Sequence, residues 1–387
     1  MYMHVDMDAF FVSCETASRP YLKERPVVVA TGHPKKGVVA SASYKARKFG
    51  IKSGMPLYIA KSILPDIYII QGNITKYAAI SENVMNTLKK FAKDVEVASI
   101  DEAFMDITYY KNDPILLAKT IKKEIKRLYK LPLTIGIGPS KVVAKVICKK
   151  SKPDGIGMVK KEEVIDFMGS IGVQEIPGIG KKSAEILTKN GISTGRDLQN
   201  ADTEYLQKLF GIRGIWFKRL AMGKDAGYFL TPYKDIIKSI GHSETLPYPT
   251  RDKEILMSYL LYLSIKASKR AYRLKKMGRG ISLHLRFSDF SSINKQKQIS
   301  TYLYRYEDIY MAAKWLFNHI PIKKPIRLVG VTIHNLIPLD THAELFSNKS
   351  TSDLLYNIYQ KYGDFSVMPL SLLNINKLPK SIPPKVR

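Results

Sequence analysis

The sequence of 387 residues holds only two cysteines, Cys14 and Cys148. Two thiols cannot build a disulfide framework, and a cysteine-ligated zinc site lacks its ligands, so the chain reads as one suited to a reducing compartment. Acidic residues are scarce as well: 34 Asp plus Glu stand against 62 Lys plus Arg, a formal net charge of +28. No apolar run reaches the roughly 18 residues that a membrane-spanning helix needs. The opening Met1-Tyr2-Met3-His4-Val5-Asp6 arrives at an acid within one short strand, with no basic segment followed by an apolar core. That predicts no signal peptide and a cytoplasmic protein. What the chain does have is 45% hydrophobic residues, enough for several packed cores and against wholesale disorder. A length prior of roughly 100 to 200 residues per domain sets the expectation at two to four. The charge, with a sequence pI of about 9.8, calls for a polyanionic partner, nucleic acid before membrane.

Tyr2 to Phe11 reads as a buried strand. The stretch from residue 18 to about Gly72 is broken by prolines and glycines and looks like an insertion. A helix at Thr75 to Phe91, strands at Val95 to Ile100 and Phe104 to Thr108, a helix at Pro114 to Tyr129 and a strand at Leu133 to Gly138 complete a βαββαβ order. In that ferredoxin-like arrangement the first two strands run parallel, so the end of the first lies beside the hairpin joining the second and third. Lys160 to Leu230 is a small all-helical unit with glycine turns at Gly178-Ile179-Gly180 and Gly211-Ile212-Arg213-Gly214. Thr231 to Lys238 serves as a linker, and Ser239 to Leu336 forms a second α+β domain. The tail from Pro338 contains one amphipathic stretch, Ser352 to Tyr362, ends in Pro379, Pro383 and Pro384, and is expected to be partly disordered. No solenoid-like repeat is present.

This topology brings Asp6 to Asp101 and Glu102. Three carboxylates gathered at one point repel each other unless a cation joins them, and hard oxygen donors are what Mg²⁺ requires. Two such ions about 3.5 to 4 Å apart can activate an attacking oxygen and stabilise a leaving one in phosphoryl transfer. An acid at a strand end or turn is otherwise simply solvated, and spacing alone leaves both readings open.

Five blocks then occur in one order: Val5-Asp6-Met7-Asp8-Ala9-Phe10-Phe11, Ala42-Ser43-Tyr44-Lys45-Ala46-Arg47, Ser99-Ile100-Asp101-Glu102-Ala103, Gly136-Ile137-Gly138 and Lys152-Pro153-Asp154-Gly155. Over roughly residues 1 to 336 the chain resembles the Y-family translesion DNA polymerases of the DinB type, with a UmuC-like tail. The resemblance implies a right hand. Its palm would be residues 1–17 and 72–160, its fingers 18–71, its helix-hairpin-helix thumb 161–230 and its little finger 239–336, with a linker at 231–238 and a tail at 337–387. It further implies DNA-dependent DNA synthesis past damaged bases, at low fidelity and without proofreading, by a monomer that takes primer-template DNA and deoxynucleoside triphosphates.

On the same resemblance, Asp6, Asp101, Glu102 and the main-chain carbonyl of Met7 hold two Mg²⁺ ions, and a primer 3′-hydroxyl attacks the α-phosphate in line. Asp8 is not carried over as a ligand and reads as a locally hydrogen-bonded strand-end acid. Phe11 falls at the steric gate that excludes a 2′-hydroxyl, while Phe10 beside it faces the opposite way if the strand is regular. Tyr44 and Arg47, three apart on a predicted helix, can bind adjacent phosphate oxygens, with Lys152 as a third contact and Ser41 near the nucleotide. Lys141, Lys145 and Lys149 form one helical stripe expected to meet DNA or water rather than the reaction centre.

Val173 to Leu187 matches a helix-hairpin-helix, in which Gly178 and Gly180 let the backbone approach a DNA phosphate beside Lys181. Lys266, Lys269, Arg270, Arg273, Lys275, Lys276 and Arg279 form a cationic face for sequence-tolerant phosphate contact. His342-Ala343-Glu344-Leu345-Phe346 stands where related polymerases carry a sliding-clamp peptide, although His342 and Ala343 depart from its pattern. Two other classes stay open here: a nucleotidyl cyclase, which can share the βαββαβ palm, and a non-catalytic DNA-binding protein.

Overall fold

The computed structural model describes residues 1–32, 37–229, 237–339, 351–363, 365–369 and 372. The 342–346 peptide and most of the expected 231–238 linker lie outside them. The chain folds as two compact units, Met1–Lys234 and Asp235–Arg387.

The first unit begins with β1 (Tyr2–Met7), α1 (Phe10–Ser18), β2 (Val27–Thr31), β3 (Val38–Ala42), α2 (Tyr44–Lys48), α3 (Leu57–Ile63) and β4 (Tyr68–Gln71). It continues with α4 (Ile74–Leu88), β5 (Asp94–Val97), β6 (Glu102–Asp106), α5 (Pro114–Tyr129), β7 (Leu133–Gly138), α6 (Lys141–Lys150) and β8 (Ile156–Met158). A mixed sheet has the order β5-β6-β1-β7-β8, with β1 antiparallel to both β6 and β7. Because β5 is also antiparallel to β6, the end of β1 and the β5–β6 turn lie at one end of the sheet, as the βαββαβ reading requires.

Local chemistry explains the elements. In α5 the Asp113 side chain accepts from the Ile115 amide and Pro114 occupies the first turn, where its missing N–H costs nothing. All six residues of β7 are buried, since strands flank both its edges and helices α5 and α6 pack on it. Tyr77, Val84, Met85 and Leu88 of α4 and Leu117, Ile121 and Ile125 of α5 share one core with Met3, Val5 and Ile135 of the sheet. Helix α6 packs so closely on β7 that a Cβ on Gly136 would collide with the Ala144 carbonyl and the Cys148 amide. Gly136→Ala is therefore expected to lower stability by about 1–3 kcal/mol or more, read as a shift of the denaturation midpoint.

One expectation fails at the end of β1. The strand stops at Met7, Ala9 takes a left-handed conformation (φ 44°), and Phe10 begins α1. Phe10 and Phe11 are therefore neighbours in the first turn of a helix and do not alternate across a strand. The reversal follows from Asp8, whose carboxylate is drawn into the interior and ends strand pairing there.

Strands β3-β2-β4 form a small separate sheet with its own core of Val28, Ala30, Val39, Ala42, Ala46, Ile51, Leu57 and Ala60. Five short helices follow: α7 (Val164–Gly169), α8 (Lys181–Lys189), α9 (Gly195–Asn200), α10 (Thr203–Phe210) and α11 (Ile212–Ala221). They close around Met168, Leu187, Leu198, Leu206, Phe217 and Leu220.

In the second unit, β9 (Ser239–Thr250), α12 (Lys253–Arg273), β10 (Lys276–Phe287), β11 (Ser292–Leu303), α13 (Tyr306–Asn318) and β12 (Ile326–Pro338) give an antiparallel sheet of order β11-β10-β12-β9. Ile281, Leu283, Leu285 and Phe287 of β10 alternate into a core shared with Leu256, Leu260 and Leu263 of α12 and Ile309 and Leu316 of α13. The amphipathic stretch of the tail is a helix, α14 (Thr351–Tyr362), and part of the tail packs onto α12. Tyr356 stacks on Tyr272 with ring centroids 4.9 Å apart, and Phe365 stacks on Tyr262 at 5.0 Å.

Candidate active site

At the shared end of the sheet, Asp6 pairs across strands with Glu102, and the Met7 amide donates to the Asp101 carbonyl at 2.9 Å. Three acids from two distant segments thus occupy adjoining backbone positions. Their side chains are held apart by different partners. Asp6 Oδ1 accepts from Lys152 Nζ at 2.6 Å, Glu102 Oε1 from Lys145 Nζ at 2.8 Å, and Asp101 Oδ1 from Ser99 Oγ at 2.5 Å. Among the described residues no three acidic, histidine or cysteine side chains already converge in a metal-holding geometry. The two ammonium groups instead neutralise the cluster that would otherwise repel itself.

The electrostatics follow from this arrangement. Burial pushes Asp6 up to about 6, against the pull of Lys152, with Asp101 and Glu102 adding to the rise. Burial also acts to raise Glu102, but His4 and the Lys145 ammonium outweigh it and bring the group down to about 2. His4 is itself buried, which lowers its pKa, and its Nε2 lies 3.3 Å from Glu102 Oε2 without a well-formed hydrogen bond. The imidazole is seated on the Phe104 ring at 4.7 Å.

Lys145 corrects the sequence-based expectation that its stripe stays away from the reaction centre. Helix α6 crosses behind β1, so Lys145 reaches Glu102, Lys141 pairs with Glu96 at 2.5 Å, and Lys149 lines a cavity of about 370 Å³ with Asp6, Lys145 and Lys152. The same cavity is bounded by Gln174 to Ile179, the loop that carries Gly178.

Asp8 also departs from expectation, in its partners. It is buried, but the partners of its carboxylate are distant in sequence: Tyr44 Oη donates to it at 3.0 Å, Thr134 Oγ1 at 2.8 Å and the Asp154 amide at 2.8 Å. Tyr44 is raised by burial first and then by Asp8. Arg47 lies over the Tyr44 ring at 4.7 Å and donates through Nε to the Ala42 carbonyl at 3.0 Å. Ser43 caps their short helix by accepting from the Ala46 amide, which fixes Tyr44 and Arg47 on it. Ser41 is buried in β3. Asp8 thereby ties the Tyr44 helix to the loop bearing Lys152. Thr134 drew no notice in the sequence and Asp154 only as part of the Lys152-Pro153-Asp154-Gly155 block, because neither residue type signals a site until the fold points it at a buried acid.

Phe11 is half-buried and stacks on Tyr77 at 4.6 Å, whereas Phe10 is buried. Gly178 takes φ +98°, and a Cβ on Gly180 would meet nothing within 4 Å, so the loop before α8 is open to close approach. Lys181 is exposed at the start of α8. In the second unit Lys266, Lys269, Arg270 and Arg273 of α12 line a cavity with His242, Tyr359 and Phe365. Burial and the charges of Lys266, Arg270 and Arg273 lower His242 to about 4. Arg279, in β10, lies over the Tyr302 ring at 5.4 Å.

Residues 5–149 match the impB/mucB/samB family, residues 237–344 match the C-terminal domain of that family, and residues 171–214 match a SAM-like helix-hairpin-helix tandem. DNA polymerase IV of Dehalococcoides mccartyi strain CBDB1 is 34% identical over 374 residues, spanning 94% of this chain and 95% of that protein. The chain is a Y-family DNA polymerase of the DinB type. DNA polymerase IV of Oceanobacillus iheyensis is 33% identical over 86% of this chain and 80% of its own length. Among solved structures, a Y-family polymerase chimera of Dbh and Dpo4 covers 87% of this chain and 99% of its own, at 32% identity and a TM-score of 0.79. An insertion ternary complex of Dbh DNA polymerase gives the same coverage and identity with a TM-score of 0.60. This Y-family polymerase is therefore a DNA-directed DNA polymerase with a mixed α+β, multidomain fold that includes a helix-hairpin-helix. Among its described residues no helix is long and apolar enough to cross a membrane.

Proposed function

We propose that this polymerase extends a primer on a DNA template past damaged bases, by two-metal nucleotidyl transfer and without proofreading. One observation carries the site assignment: Asp6, Asp101 and Glu102 adjoin at one end of the sheet, with Lys152 bonded to Asp6 and Tyr44 linked to the same corner through Asp8. The donor set fits hard divalent cations, because three carboxylates and the Met7 carbonyl offer only oxygen. Mg²⁺ held there would supply charge stabilisation at the phosphate and ease deprotonation of a primer hydroxyl.

The protein's own groups do the rest. Lys152, bonded to Asp6 in this structure, would bind triphosphate oxygens beside Tyr44 and Arg47. Phe11 presents its ring where the sugar would lie and excludes a 2′-hydroxyl. Residues 1–17 and 72–160 act as palm, 18–71 as fingers, 161–230 as thumb and 239–336 as little finger. The amides near Gly178 and Gly180, Lys181, and the cations Lys266, Lys269, Arg270, Arg273 and Arg279 hold the DNA backbone without reading sequence. The 342–346 peptide docks on a sliding clamp, and its deletion removes clamp-stimulated synthesis.

The test is extension of a labelled primer on undamaged and abasic templates with Mg²⁺. Synthesis across both, with a mismatched primer end left untrimmed, supports the proposal; arrest at every lesion refutes it. Phosphate-dominated binding predicts that raising salt from about 50 to 200 mM weakens DNA affinity on the order of 10³-fold for about six phosphate contacts. A salt-independent affinity in a fluorescence anisotropy titration rejects that account.

A further inference from the structure

We propose that Glu15 is a positioning residue for sugar selection: it fixes Tyr77, and Tyr77 fixes Phe11, so that rejection of ribonucleotides depends on a buried carboxylate remote from the nucleotide. The inference rests on the gate role of Phe11 given above and extends it to two residues outside that role.

Phe11 and Glu15 are four apart on α1 and so lie on one face, one turn from each other. Tyr77 of α4 spans that turn. Its ring stacks on Phe11 with centroids 4.6 Å apart and planes 17° from parallel, while its hydroxyl donates to Glu15 Oε1 at 2.9 Å. Glu15 is only 3% exposed and is gripped from two further sides, by Lys76 Nζ at 3.1 Å and Arg19 at 3.5 Å. Phe10 closes on the Tyr77 ring edge-on at 6.4 Å.

A gate excludes a 2′-hydroxyl only if the gate ring cannot retreat. The way back for Phe11 leads into Tyr77, which is fully buried. An apolar pair could fill the same space without desolvating a carboxylate, and such replacements are often neutral for stability. What the hydrogen bond adds is direction: it holds the Tyr77 ring at one depth, and the stack transfers that depth to Phe11.

The experiment compares kcat/KM for a deoxynucleoside triphosphate with that for the matching ribonucleotide. Tyr77→Phe, which keeps the ring and deletes one oxygen, and Glu15→Ala are each expected to lower the ratio about tenfold, the equivalent of one buried hydrogen bond to a charged group. Glu15→Gln keeps an acceptor and retains the ratio within about threefold. Adding Glu15→Ala to Phe11→Ala lowers it no further, because the gate is already gone. If Glu15→Ala does not fold, as a thermal melt will tell, Tyr77→Phe still decides. Slower use of both sugars with an unchanged ratio in Tyr77→Phe overturns the positioning role. An unchanged ratio in Phe11→Ala overturns the gate itself and the proposal with it.

Discussion

Replacing Asp101 or Glu102 with alanine is expected to slow primer extension by at least about 10³-fold, while DNA affinity is kept or rises. The two measurements move apart for an electrostatic reason. Glu102→Ala frees the Lys145 ammonium, now 2.8 Å from its carboxylate, and leaves the corner more positive beside a polyanion. Asp101→Ala removes an oxygen donor from the same point without touching the cations of the second unit. Loss of both extension and binding would mean that the variants had not folded, which circular dichroism distinguishes. Extension within about tenfold of the wild type in both variants rejects the carboxylates as the reaction centre.

Asp8→Ala is expected to cost about 2–4 kcal/mol of stability, a large effect for a residue with no role in metal or phosphate binding. The truncation leaves the buried Thr134 hydroxyl and the partly buried Tyr44 hydroxyl and Asp154 amide without their shared acceptor. Denaturant titration of the full chain, followed by a probe in the first unit, reads the change. Asp8→Asn keeps an acceptor of similar shape and is expected to lose less than half as much. Because Asp8 joins the Tyr44 helix to the Lys152 loop, both variants should also raise KM for the incoming nucleotide more than they lower kcat. A denaturation midpoint within error of the wild type in Asp8→Ala contradicts the network.

Much of the geometry of the candidate site is legible in the sequence. The Asp6 and Asp101-Glu102 segments announced themselves as acids at strand ends, and the βαββαβ order was enough to bring them together, because two antiparallel pairings in a row return a strand to its starting direction. Pro114 to Tyr129 and Leu133 to Gly138 were readable to the residue, since a capped amphipathic helix and a short apolar run bounded by turns are both local patterns. Phe10 and Phe11 misled for the same reason. An apolar run after a strand looks like more strand, and only the burial of Asp8 against β7 and the Asp154 loop turns it into a helix.

Residue type and spacing determined by themselves which groups could do chemistry: oxygen donors for a hard cation, a hydroxyl and guanidinium for phosphate, and an excess of cations for DNA, while the gate role of Phe11 came only from the family resemblance. Tertiary structure decided which of those groups are coupled. Lys145 was one of three equivalent lysines on a stripe until α6 packed across β1 and pointed it at Glu102. Glu15 was one more acid along the chain until α1 formed and Tyr77 crossed its turn. Charge and shape are carried by single residues and can be counted along a chain, whereas a hydrogen bond between residues 62 positions apart exists only where packing closes that distance and excludes the water that would otherwise compete for it.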